Sequence, residues 1–204
     1  PLVVLANMSP ENQMQVIEQC GTSSSSPFLI ADTMDLWINI ANERLHDVLK
    51  ELDLFVINEG EAREFTETSN LILAGKRLLA KGPRNVIIKL GEFGAMLFSR
   101  NHENWEVTPT TFFRSSAFPL HEVADPTGAG DTFAGGFAGY ITQSENVSFN
   151  NMKTAIIHGS NLASFCVEKF GTQRLTEITM DDVNKRMNEF VTLSNFELNL
   201  NGTH

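Results

Sequence analysis

From residue 2 to about residue 90 the chain repeats one rhythm: a short β-branched or apolar run, a turn signal, then a longer stretch with helical spacing. That alternation predicts βαβ units, and parallel strands joined by helical crossovers form an α/β sheet covered on both faces. Strands are expected at 3–6, 28–31, 54–57 and 86–90. Ser9 before Pro10 reads as an N-cap with proline in the first turn of a helix running toward Cys20. A second helical stretch carries Leu36, Ile40, Leu45, Val48, Leu49 and Leu52, with a break near Asn42. The helix between the third and fourth strands should stop at Lys81-Gly82-Pro83.

Beyond Gly91 the period changes. Segments 95–99, 105–107 and 111–113 are short and read as antiparallel strands, with a turn at Asn101-His102-Glu103-Asn104. Helices then dominate, at 128–142, 150–167 and 181–191. Residues 1–194 thus read as one unit with a frayed tail at 195–204, and the serine run at 23–26 reads as a loop.

Charge and apolar content remove several functions from consideration. Fifteen Lys and Arg against 25 Asp and Glu leave a net charge of −10, so no basic stripe exists to release counterions from a nucleic acid. The longest apolar runs, 54–57 and 86–88, fall far short of the roughly 20 residues that span a bilayer. Cys20 and Cys166 lie far apart, form no CxxC pair and suggest no oxidising compartment, so a cytoplasmic setting is expected. No His, Cys or carboxylate spacing suggests zinc. The chain opens at Pro1 with no leader before strand-like residues, which reads as a cut into a larger protein.

Ligands of such sheets sit beyond the carboxyl ends of the strands. The residues to examine are therefore Asn7, Asp32, 58–61, 89–94 and the loop before Gly128. The sharpest signal is Asp125-Pro126-Thr127-Gly128-Ala129-Gly130-Asp131-Thr132-Phe133, continuing to Phe137. Its glycines permit a tight turn and leave amides uncovered, while the apolar spacing behind them starts a helix. The unpaired amides and the positive helix end suit a phosphate. A carboxylate at Asp131 would repel that phosphate, but it makes sense as a base that accepts the proton of an attacking hydroxyl. The other reading of Asp131 is an acidic residue favoured in a first helical turn.

This string resembles the C-terminal signature of the ribokinase-like, or pfkB, sugar and nucleoside kinases. Asn58-Glu59-Gly60-Glu61 resembles the family's NxxE element, and Lys89-Leu90-Gly91-Glu92-Phe93-Gly94-Ala95 its strand-plus-GxxG nucleotide segment. Segment 163–167 followed by Gly171 is similar to its late helix and turn, and all of these occur in the family's order. The resemblance implies a Rossmann-like three-layer α/β sandwich whose central sheet is mostly parallel with an antiparallel edge. It also implies an ATP- and Mg²⁺-dependent kinase acting on the hydroxymethyl group of a sugar or nucleoside.

Carried over by position, the resemblance makes Asp131 the catalytic base and Gly128, Ala129 and Gly130 the anion hole. Asn58 and Glu61 would organise Mg²⁺ through waters; on their residue types alone they read equally as a turn opening a helix. Lys89, Gly91 and Gly94 would wall the nucleotide phosphates. Many relatives carry a small hydroxyl residue where Lys89 stands, which leaves a strand-end surface lysine as its second reading. Many relatives also bind a monovalent cation, K⁺, at positions matching Asp125 and Thr127 with a contribution near Gly171. Adenine would lie between loop 117–123 and the helix of Gly159, Ser160 and Asn161, with Asn161 as a contact.

Asp32 has two readings: contact with phosphates, metal or acceptor, or a loop-to-helix cap. Gly135 and Gly139 are expected to admit a packed neighbour, Phe133 and Phe137 to be core, and His121 and His158 to be surface or core residues. Family members carry a preceding portion with paired glycines and a β-sheet lid that closes over the sugar and often forms a homodimer. Without it, these residues alone are expected to turn over poorly. A kinase-like domain that binds nucleotide or a partner without catalysis is the alternative function.

Overall fold

In the computed structural model, residues 1–21, 26–100 and 105–195 are described. The expected serine loop at 23–25, the turn at 101–104 and the tail from 196 onward lie outside these residues. Strands β1 (Leu2–Leu5), β2 (Phe28–Asp32), β3 (Leu54–Asn58), β4 (Asn85–Lys89), β5 (Ala95–Ser99) and β6 (Phe112–Ser115) form one sheet in sequential order. The first four run parallel, and β5 and β6 add an antiparallel edge.

Alternation of side chains along each strand divides the core in two. Phe55, Ile57, Val86 and Ile88 face one side, where they meet α1 (Pro10–Cys20), α2 (Asp35–Ile40), α3 (Asn42–Glu51), α4 (Glu59–Thr66) and α5 (Leu71–Ala80). Ile30, Leu54, Val56, Ile87 and Leu97 face the other, under α6 (Ala129–Ser144) and α7 (Phe149–Cys166). Layers of helix, sheet and helix result, as expected for the three-layer sandwich. α8 (Gln173–Glu177) and α9 (Met180–Ser194) close the C-terminal end. Among the described residues, no helix is long and apolar enough to cross a membrane.

Local chemistry explains most boundaries. Ser9 accepts from the Asn12 amide and Pro10 opens α1, as expected. The predicted break at Asn42 separates α2 from α3. The expected helix between β3 and β4 is instead two, because Glu67 adopts a left-handed conformation (φ 50) after α4, and Asn70 then caps α5. Segment 105–107 is no strand. Trp105 is buried there, its indole N–H donates to the Ser99 carbonyl at 3.0 Å, and its ring packs on Phe98, so a side-chain anchor replaces ladder pairing. α8 had no signal beyond the turn at Gly171.

The predicted glycine contact also moves. A Cβ at Gly135 or Gly139 would meet nothing within 4 Å, so these glycines do not admit a neighbour. The close approach is between Gly136 of α6 and Gly159 of α7: a Cβ at Gly159 would lie 2.6 Å from the Phe133 carbonyl oxygen, and one at Gly136 would lie 3.1 Å from the Gly159 Cα. Phe133 and Phe137 are core residues as expected. Gly159→Ala should therefore destabilise the fold by roughly 1–3 kcal/mol through overpacking. Gly135→Ala, on an exposed helical position, should be neutral or stabilise by up to about 1 kcal/mol. Urea unfolding of the two variants checks the contrast.

Candidate active site

Ile30, Val56 and Ile87 share the core under α6. Two residues further along the same strands come Asp32, Asn58 and Lys89, so the period of two turns these three toward the α6 side at the carboxyl edge. Asn58 and Lys89 are register partners on adjacent strands. Opposite them, Gly128 adopts φ 82 and turns the chain into α6, with no side chain capping the helix. The Ala129 amide donates to the Pro126 carbonyl at 3.2 Å, which leaves the Gly130 and Asp131 amides for the strand-end side, and Asp131 lies exposed on that turn.

Lys89 is drawn into this edge rather than standing at the surface. Its side chain is 21% exposed, and its Nζ lies 3.8 Å from Asp32 Oδ2. A Cβ at Gly130 would be only 2.9 Å from that Nζ, so the ammonium rests against the glycine of the first turn. Asp32 does not cap α2, whose N-cap Met34 has no side-chain bond. Its carboxylate is 13% exposed, and Oδ1 is buried without a hydrogen-bond partner. Burial pushes the Asp32 carboxyl above its ordinary range; the Lys89 charge opposes this and the Asp131 charge adds to it.

Asn58 and Glu61 form a reciprocal capping box at the start of α4. The Glu61 amide donates to Asn58 Oδ1 at 2.9 Å, and the Asn58 amide donates to Glu61 Oε2 at 3.0 Å. Burial raises the Glu61 carboxyl, the Asn58 amide and Lys89 lower it, and Asp32 and Asp35 raise it further. Asp32, Glu61 and Asp131 thus share one electrostatic neighbourhood with a single ammonium placed among them.

On the other side of Gly128, the Thr127 amide donates to Asp125 Oδ1 at 2.9 Å. That bond, with help from the Gly171 amide, holds the Asp125 carboxyl below its usual range. The Cys166 thiol lies 3.8 Å from the carbonyl oxygens of both Thr127 and Gly171, so the three expected cation positions do come together. Among the described residues, no group of three or more His, Cys, Asp or Glu is arranged to hold a metal directly.

Two expected contacts are corrected. Asn161 is fully buried rather than open to a base: its amide donates to the Val183 carbonyl at 3.0 Å, tying α7 to α9, and its Oδ1 is buried without a partner. Gly94 is occupied by strand packing: a Cβ there would lie 2.1 Å from the Ser115 carbonyl oxygen, so it admits β6 rather than a ligand. Gly91, by contrast, opens on free space. Loop 117–123 is anchored by Phe118, whose ring meets Phe190 edge-on while Arg186 stacks on it. Sequence reasoning missed Arg186 altogether, and no local pattern marks it. His158 is half-buried and stacked on Tyr140, consistent with the packing role expected of it.

The profile of the pfkB family carbohydrate kinases matches residues 3–179. The chain belongs to that family. Among curated relatives, this pfkB-family chain is 37% identical over 126 residues to the deoxyribokinase of Salmonella typhi, covering 59% of this chain and 36% of that protein. It is 23% identical over 176 residues to the adenosine kinase of Schizosaccharomyces pombe, covering 81% of this chain and 48% of that protein. The chain therefore spans between a third and a half of the length of these relatives. Among solved structures it is similar to ribokinase from Giardia lamblia, with TM-score 0.73, 19% identity, and coverage of 92% of this chain and 59% of that one. Aminoimidazole riboside kinase from Salmonella enterica, complexed with aminoimidazole riboside and an ATP analogue, has TM-score 0.69 and 20% identity over 87% of this chain and 56% of that one. At these identities the structures show the shared fold.

The Asp32 environment sets a stability prediction. A carboxyl whose folded pKa is raised contributes stability below the ordinary carboxylate range, and that contribution is lost as pH rises through the raised value. Asp32→Asn, which cannot ionise, should have a higher thermal midpoint than the wild type at about pH 7.5, and that advantage should vanish near about pH 3.5. Thermal unfolding at the two pH values measures it; a lower midpoint at neutral pH would show that the carboxylate stabilises the fold.

Proposed function

We propose that the protein transfers the γ-phosphoryl group of ATP to the hydroxymethyl group of a sugar or nucleoside. The observation that carries this reading is Asp131, exposed on the first turn of a helix with no side-chain cap, one residue beyond the glycine against which Lys89 rests. Relatives named as deoxyribokinase, ribokinase and adenosine kinase support the substrate class.

In this reading Asp131 accepts the hydroxyl proton as the acceptor oxygen attacks. A bond forms between that oxygen and the γ-phosphorus, the bond from phosphorus to the β,γ-bridging oxygen breaks, and ADP leaves. The amides of Gly128, Gly130 and Asp131 meet the negative charge on the equatorial phosphoryl oxygens, the Ala129 amide joining them only by leaving the Pro126 carbonyl, while the backbone at Gly91 flanks the nucleotide phosphates. Preorganised donors of this kind are worth more in a site screened from water, because they need no reorientation as charge develops.

ATP with Mg²⁺ fits the donor set. Glu61 Oε2 and Asn58 Oδ1 are committed to the capping box, so they suit a hydrated cation held through its waters better than direct chelation. When bound, that cation would supply neutralising charge at the triphosphate. Support for the pairing comes from a putative ribokinase II of E. coli, similar in fold at TM-score 0.64, whose structure was solved in complex with ATP and Mg²⁺. Asp125 and the Thr127 carbonyl, drawn together with Gly171, are the residues that would hold K⁺. Two free cysteines suit a cytoplasmic setting.

Asp131→Asn keeps size and removes the base. In the full-length protein, assayed for ATP consumption over a panel of sugars and nucleosides, it should lower turnover by about 10²–10⁴-fold while ATP affinity changes by no more than about threefold. Undiminished turnover would exclude Asp131 as the base. Nucleotide binding by the wild type with no turnover on any acceptor would favour a non-catalytic kinase-like domain.

A further inference from the structure

We propose that Asp32 is a positioning residue that holds the Lys89 ammonium against the first turn of α6, so that a fixed cation and the bare amides of that turn face one phosphoryl group together. The proposal rests on the reading of the phosphate site given above and concerns what builds it.

Lys89 offsets the Asp32 and Glu61 carboxylates, but its reach to α6 works against that helix. A cation at a helix N-terminus opposes the helix dipole, which costs about 0.3–1 kcal/mol where it would be favourable at the other end. Lys89 nonetheless extends across the sheet edge until its Nζ touches Gly130, and glycine at that position is what leaves it room. Its ion-pair partner among the described residues is Asp32, at 3.8 Å. That separation is well beyond the roughly 2.7–2.9 Å of a charge-assisted hydrogen bond, so the ammonium is restrained while its donors remain open to an anion.

Asp32 is unexplained by stability. A mostly buried carboxylate with one oxygen left unpartnered costs desolvation free energy, and its neighbours include the further negative charge of Asp131. Buried polar groups that a fold retains at a cost concentrate at functional sites. Asp32 lies at the end of β2 beside the Lys89 ammonium, and it carries the same sign as any phosphate. Its effect on a triphosphate is therefore indirect. With Lys89 in place it preorganises a cation, and with Lys89 removed it leaves only repulsion.

That reversal of sign is the test. Binding of Mg²⁺ with β,γ-methylene-ATP, and of AMP, would be measured by calorimetry on the full-length wild type, Lys89→Met, Lys89→Arg, Asp32→Asn and the Asp32→Asn/Lys89→Met double variant. Thermal unfolding would verify that each is folded. Lys89→Met should weaken the triphosphate analogue by about tenfold or more while AMP changes by less than about twofold, and Lys89→Arg should recover most of the loss. Asp32→Asn should weaken the analogue by about three- to tenfold in the wild-type background, and should leave it unchanged or tighten it in the Lys89→Met background. Equal weakening by Asp32→Asn in both backgrounds would overturn the proposal, as would full analogue affinity in Lys89→Met or equal loss of AMP. A wild type that binds neither nucleotide would overturn the phosphate-site reading as well, whereas a wild type that binds the analogue beside an unaffected Lys89→Met would overturn this proposal alone.

Discussion

The crossing of α6 over α7 at Gly136 and Gly159 is the contact on which the rest of the site depends. Close-packed interiors resist displacement steeply, and here backbone meets backbone beside the Leu162 and Phe133 side chains. Phe133 and Phe137 flank the crossing and pin α6 onto Ile30, Val56 and Ile87 of the sheet. With its body clamped on both sides, α6 has one direction available, and its uncapped N-terminus points at the carboxyl edge of β2, β3 and β4. The aim of that helix end at the edge is thus a consequence of packing some distance behind it.

What gathers at the edge runs against the stability of the fold. Asp32 is buried with an unpartnered oxygen, Glu61 is raised by burial, and the ammonium of Lys89 sits at the positive end of a helix. A multiply charged anion would favour the ammonium, while the carboxylates, which share the anion's sign, could help only through the cation they hold. In the proposed reading, the capping box of Asn58 and Glu61 would serve twice, closing the start of α4 while offering oxygens toward a hydrated cation. Structure and chemistry are not competing explanations for these two residues.

The C-terminal helices are joined by a seam of their own. Arg186 of α9 lies 3.4 Å over the Phe165 ring, stacks on Phe118, donates to Ser164 and pairs with Glu168, so one side chain joins α9, α7 and the loop after β6. Asn161 reinforces the same seam by its bond to Val183. Its expected place beside adenine followed from sequence position on α7, and position along a helix does not say which face a residue presents. Gly94 misled for a similar reason. A glycine in a nucleotide-binding pattern signals close approach, but the approaching backbone here is Ser115 and Ser116 of the neighbouring strand and turn.

By itself the sequence determined the four parallel strands with their helical crossovers, the change from parallel to antiparallel after Gly91, and the glycine-lined start of α6 carrying Asp131. These are encoded locally, in apolar periodicity, capping residues and turn glycines, and local signals survive without knowledge of the partner they will meet. Only the tertiary structure decided that Gly136 rather than Gly135 bears the crossing, that Trp105 anchors where a strand was expected, and that Asp32 reaches Lys89. Each of those depends on which residues from distant parts of the chain come within a few ångströms, and the free energy of such contacts is set by three-dimensional fit, which no window of sequence contains.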